Sequence, residues 1–123
     1  MGPFTDGWTE AEVEYVLQRG DPAELRYVPI VVGMGAADVD PQWAEDICLG
    51  LVGHPDETVR GNAVLGFGHI ARTCRRLEVA RVAPRIRAAL ADPSEYVRGQ
   101  AEAAAGDLKV FLGVDVRRAG ALT

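Results

Sequence analysis

Cysteine and histidine are nearly absent, with two of each, and lysine occurs once, at Lys109. Cys48 and Cys74 stand too far apart for a metal knuckle and are too few for a disulfide framework, so both read as reduced packing residues. His54 and His69 fall at opposite ends of one expected helix, about 22 Å apart by helical rise, and cannot act as a pair within it. No Gly-x-Gly-x-x-Gly, phosphate loop, His-x-x-x-His or Cys-x-x-Cys spacing occurs, and Gly33-x-Gly35 and Gly66-x-Gly68 lack a preceding strand. No run approaches the roughly 18 apolar residues of a membrane span. Residues 1–14 are polar and acidic where a secretion signal has a basic start and an apolar core. These absences argue against catalysis, a cofactor, a metal and a membrane partner, and they predict a cytoplasmic location.

What is present is ordinary globular material. The 123 residues are 48% apolar and 25% charged, values that predict one folded domain burying roughly two-thirds of its unfolded surface. The net charge of −5 hides a strong asymmetry. Residues 1–58 carry twelve acids and two arginines, whereas residues 59–91 carry one acid, Glu78, and seven arginines. If the two segments are separate in space, the molecule is a dipole.

An internal repeat organises the chain. Placing His54-Pro55-Asp56-Glu57-Thr58-Val59-Arg60-Gly61-Asn62-Ala63 above Asp92-Pro93-Ser94-Glu95-Tyr96-Val97-Arg98-Gly99-Gln100-Ala101 aligns Pro, Glu, Val, Arg, Gly and Ala at a period of 38. A shorter copy is Asp21-Pro22-Ala23-Glu24-Leu25-Arg26. Each copy reads as a helix start, with Pro in the first turn and Glu24, Glu57 or Glu95 close behind, where a carboxylate meets the positive end of the helix dipole. Val59, Ala63, Phe67, Ile70 and Cys74 then form one apolar stripe, as do Val97, Ala101, Leu108 and Leu112. Thr9-Glu10-Ala11-Glu12 is a capping box, Asp40-Pro41 opens another helix, and Val79, Val82, Ile86 and Leu90 mark one more, with Pro84 placed to bend it.

The predicted fold is therefore all-α, with six helices in three antiparallel pairs: 9–19 with 22–35, 41–53 with 56–74, and 78–91 with 94–113. The β-branched run 28–32 works against the second helix. A single domain spans 1–113, and 114–123 reads as a frayed C-terminal tail. Gly61, Gly66, Gly68, Gly99 and Gly106 cost about 1 kcal/mol each in a helix relative to Ala, which marks them as sites of close helix approach.

A helix pair whose second helix begins Asp-Pro-x-x-x-Val-Arg before small residues resembles the HEAT repeat. Residues 92–101 fit that pattern closely, the second pair has His54 where the family has Asp, and the first pair shortens it. The resemblance covers about residues 9–113 and implies an α-solenoid, with Arg60 and Arg98 in structural pairing between neighbouring repeats. It also resembles small acidic proteins of bacterial toxin–immunity systems, which implies a cytoplasmic inhibitor that binds and neutralises a basic toxin domain. The alternative resemblance is to accessory proteins such as phycobilin lyases or enzyme adaptors.

Stacked pairs would line an inner surface with their second helices. Thr58, Asn62, His69 and Arg72, with Tyr96, Gln100 and Asp107 one repeat on, would form adjacent rungs of a polar face that fits a protein partner. Tyr96 is the expected anchor, since tyrosine is enriched at binding hot spots. Trp43 reads either as a core residue or as a second anchor. The arginines from Arg72 to Arg87 could meet phosphates, but the acidic balance and single lysine argue against nucleic acid.

Overall fold

A computed structural model describes residues 1–119. It is helical: α1 (Glu10–Arg19), α2 (Pro22–Leu25), α3 (Val28–Met34), a 3₁₀ turn (Ala36–Asp38), α4 (Pro41–Leu51), α5 (Glu57–Cys74), α6 (Val79–Leu90), α7 (Glu95–Leu112) and α8 (Val116–Ala119). Among these residues no strand forms and no helix is long and apolar enough to cross a membrane.

The helix starts follow local chemistry. Thr9 caps α1 by accepting the Glu12 N–H, and Asp21 and Asp40 cap α2 and α4 ahead of Pro22 and Pro41. The two clearest repeat copies differ from expectation by a position or two. Asp56 and Ser94 are the caps of α5 and α7, so Pro55 and Pro93 precede the helices rather than entering their first turns. The expected helix over 22–35 is broken at Arg26 and Tyr27, because Pro29 has no N–H to offer the Leu25 carbonyl. Its β-branched residues nonetheless form α3. Helix α6 continues through Pro84, whose missing N–H falls on the exposed side.

Helices α3, α5 and α7 pack side by side in a row, with α4 against α3 and α5 and α6 against α7. Neighbours in the row run parallel. Gly61 faces Tyr96 near the start of α5 and α7, and Gly68 faces Ala104 and Asp107 two turns on. The apolar stripes meet in one core containing Val13, Val28, Val59, Phe67, Ile70, Ile86, Val97 and Leu108.

The C-terminal expectation requires correction. Residues 114–119 are not a frayed tail: α8 lies against α6, Val116 is 1% exposed, and its carbonyl accepts from Arg87 at 2.8 Å. Burial of one apolar side chain plus a charged hydrogen bond holds this segment where no helical periodicity announced it. The remaining part of the expected tail, 120–123, lies outside the described residues.

Close helix approach explains only some of the helical glycines. A Cβ on Gly61 would lie 2.8 Å from the Tyr96 ring, one on Gly66 2.6 Å from Cys48 Sγ, and one on Gly68 2.6 Å from Asp107 Oδ2. Gly99 and Gly106, the repeat equivalents of Gly61 and Gly68 on α7, meet nothing within 4 Å, because no further helix among the described residues stacks there. The same substitution should therefore change sign along the repeat. Gly61→Ala and Gly66→Ala are expected to destabilise by about 1–3 kcal/mol through overpacking. Gly99→Ala and Gly106→Ala should stabilise by about 0.5–1 kcal/mol through helix propensity. Urea unfolding of the four variants measures this directly.

Candidate functional site

The seven residues expected to form a polar face separate into two clusters on the α5–α7 seam, with Thr58 apart. In the first, Asn62 is only 5% exposed. Its Nδ2 donates to the Arg26 carbonyl at 2.8 Å, and its Oδ1 accepts from the Tyr96 hydroxyl and from Gln100 Nε2 at 3.5 Å. Gln100 also donates to the Tyr96 oxygen at 2.9 Å. The cluster thus ties α2, α5 and α7 to one amide, and it leaves Tyr96 with its ring on Gly61 and its hydroxyl engaged. Tyr96 keeps 40% exposure, so its outer face remains available while its polar tip does not.

The second cluster lies two turns further along. Arg72 approaches His69 Nδ1 at 2.8 Å; since guanidinium only donates, Nδ1 is the acceptor and the ring is neutral. Burial, seconded by the Arg72 charge, holds the His69 pKa below its usual value, and Asp107 pulls the other way. Asp107 occupies the space that Gly68 leaves open. Thr58 sits at the start of α5, its N–H received by Asp56 at 2.9 Å; its hydroxyl joins none of the other six.

The expected inter-repeat pairing is present in one place. Arg60 meets both oxygens of Asp92, Nε to Oδ2 at 2.8 Å and NH2 to Oδ1 at 2.9 Å. A paired, planar fork of this kind is the strong form of a charged hydrogen bond, and it lowers the Asp92 pKa while raising that of Arg60. The arginine-rich segment is largely committed elsewhere as well. Arg81 reaches Asp46 at 2.7 Å and both Glu45 and Glu78 at 3.3 Å, Arg87 holds the Val116 carbonyl, and Arg75 lies over the Phe111 ring at 5.1 Å. The acidic and basic segments therefore touch through α4 and α6, which corrects the picture of two separated poles.

Two features escaped the sequence. Buried Glu45 accepts the Glu78 N–H at the start of α6 at 2.8 Å and also receives Gln42; nothing in α4 alone marks that carboxylate as different from Asp46. At the other end, the Trp8 and Trp43 rings stack at 6.0 Å, and Trp43 Nε1 donates to Glu14 at 3.3 Å. Trp8 immediately precedes the Thr9 cap, a staple position that could have been noticed, but its partner 35 residues on could not. Trp43 thus packs, partly buried, against the core, with its indole N–H engaged rather than free.

Cys48 is fully buried, and burial with help from Glu45 pushes its thiol up to about 12. Among the described residues no three His, Cys, Asp or Glu side chains converge as a metal site. No protein-family model, curated protein or solved structure matches the chain.

Two titrations follow from this geometry. Because the folded Asp92 pKa is depressed, its pair stabilises fully above the unfolded carboxylate range near pH 4 and is lost as pH falls through the lower folded value. Asp92→Asn should lower stability by about 2 kcal/mol at pH 7, and the gap should close progressively below about pH 4; a gap independent of pH would contradict the pairing. For His69, NMR should give a midpoint below about 6.5, and Asp107→Asn should lower it further by removing the one opposing charge.

Proposed function

We propose that this chain is a non-catalytic HEAT-type solenoid of three helix pairs that binds a protein partner, most concretely as a cytoplasmic immunity protein covering a basic bacterial toxin domain. The recurrence of one arginine geometry supports the repeat assignment. Arg60 donates to the His54 and Pro55 carbonyls, and Arg98 donates to the Asp92 and Pro93 carbonyls, each residue 38 positions from its counterpart.

The observation that carries the partner's chemistry is an unneutralised acidic end. Asp6, Glu10, Glu12, Glu14 and Asp38 are exposed, and no ion pair among the described residues includes any of them. Glu10 and Asp38 flank a groove that also contains Trp8, Gly35 and Val39. An apolar centre inside a charged rim is the composition of a binding patch. The carboxylates favour a basic surface, and their long-range field raises the association rate more than the final affinity.

Capture from the source cell should return a basic protein. Neutralising Glu10→Gln, Glu14→Gln and Asp38→Asn together should slow its association about tenfold at low salt, with little change near 0.5 M salt. Glutamine at position 14 can still accept the Trp43 N–H, so the fold should persist. Capture of no partner, or an association rate indifferent to these substitutions, contradicts the proposal.

A further inference from the structure

The outer side of α7 repeats the surface on which α5 receives its neighbour, and no helix among the described residues covers it at Gly99. On α5, two carbonyls fix the Arg60 guanidinium at 3.0 and 3.1 Å, leaving its Nε–NH2 edge to grip Asp92. One residue on, the bare backbone of Gly61 is the floor beneath the Tyr96 ring. On α7, two carbonyls fix Arg98 in the same way at 2.8 and 3.0 Å, and Gly99 follows. Here no carboxylate among the described residues bridges the guanidinium, and nothing stands within 4 Å of a Cβ on Gly99. An open cleft lined by Glu57 of α5 and by Pro93, Glu95, Tyr96, Gly99 and Gln100 adjoins Gly99.

The free surface is short. Where α5 buries Val64, α7 has exposed Glu102, which Arg117 of α8 bridges at 2.7 Å. A whole further helix would have to seat on that charge, whereas a helix start would meet only the first two turns. We infer that these two turns of α7 dock the start of a partner protein's helix bearing Asp in the preceding turn and an aromatic residue four positions later, spaced as Asp92 and Tyr96 are. Arg98 takes the carboxylate as a bidentate pair, and the ring lies on Gly99. Glu95 is no obstacle, since Glu57 stands in the same relation to Arg60 and Asp92 binds there nonetheless.

A second copy of this chain does not supply the motif. Its Asp92 and Tyr96 are engaged on Arg60 and Asn62, and its other Asp-Pro turns, at Asp21 and Asp40, have Leu25 and Ala44 at the fourth position. The surface is distinct from the acidic end, so either proposal can fail alone.

The test titrates the isotope-labelled full chain with a side-chain-stapled helical peptide of the sequence of residues 90–100, which carries the Asp92 and Tyr96 spacing and ends before it would reach Glu102. Shifts should be confined to the first two turns of α7. Affinity should fall at least tenfold with Arg98→Ala in the protein or with Asp92→Asn in the peptide, and binding should vanish with Gly99→Gln. That last substitution fills the floor at a position open to solvent, so it removes the site without unfolding the helix. Absence of shifts at millimolar peptide, or binding that survives Gly99→Gln, overturns the proposal. Self-association of the chain that depends on Arg98 would make a second copy the occupant and would overturn it equally.

Discussion

One buried amide holds the row of helices together. The break between α2 and α3 leaves the Arg26 carbonyl at a helix end, and an inward-facing carbonyl without a donor is costly. Asn62 supplies that donor from α5, and its own oxygen is then satisfied from α7 by Tyr96 and Gln100. No purely apolar side chain at position 62 could serve both neighbours. The amide therefore fixes the register of three helices at once, and the close approaches at Gly61 and Gly68 follow from that register.

Two further polar ties act at the margins of the same stack. The Arg60–Asp92 fork joins the first turn of α5 to the turn preceding α7, and Glu45 with Asp46 joins α4 to Arg81 and the start of α6. Glu45 and Asn62 are buried polar residues whose hydrogen-bonding groups find partners, and no buried side-chain polar atom among the described residues is left without one. The polar residues of the middle of the molecule are thus consumed by assembly, while Asp6, Glu10, Glu12, Glu14 and Asp38 join no ion pair among the described residues. Unspent charge and partly exposed aromatic rings concentrate at one end, which is why the proposed partner is basic and meets that end.

Local signals in the sequence carried much of this. Capping chemistry at Thr9, Asp21 and Asp40 and the three- and four-residue spacing of apolar side chains are properties of single helices, and they located α1, α4, α5, α6 and α7. The period of 38 also placed Asn62, Tyr96 and Gln100 on one seam. It could not tell an open polar face from a closed network, because that depends on how near the helices approach. Gly61 and Gly99 look identical in the repeat, yet one lies under a ring and the other under solvent. Val116, Glu45 and the Trp8–Trp43 stack depend on contacts 29 to 35 residues apart that no short motif encodes.

The Asn62 amide is therefore the structural node of the stack rather than part of a vacant binding face. Unfolding of Asn62→Ala by urea tests it most directly. Leaving the Arg26 carbonyl and the Tyr96 hydroxyl without their partner should lower stability by about 2–3 kcal/mol, with amide exchange accelerating together in α3, α5 and α7. Stability unchanged to within about 0.5 kcal/mol, the range of an ordinary surface substitution, would contradict the account.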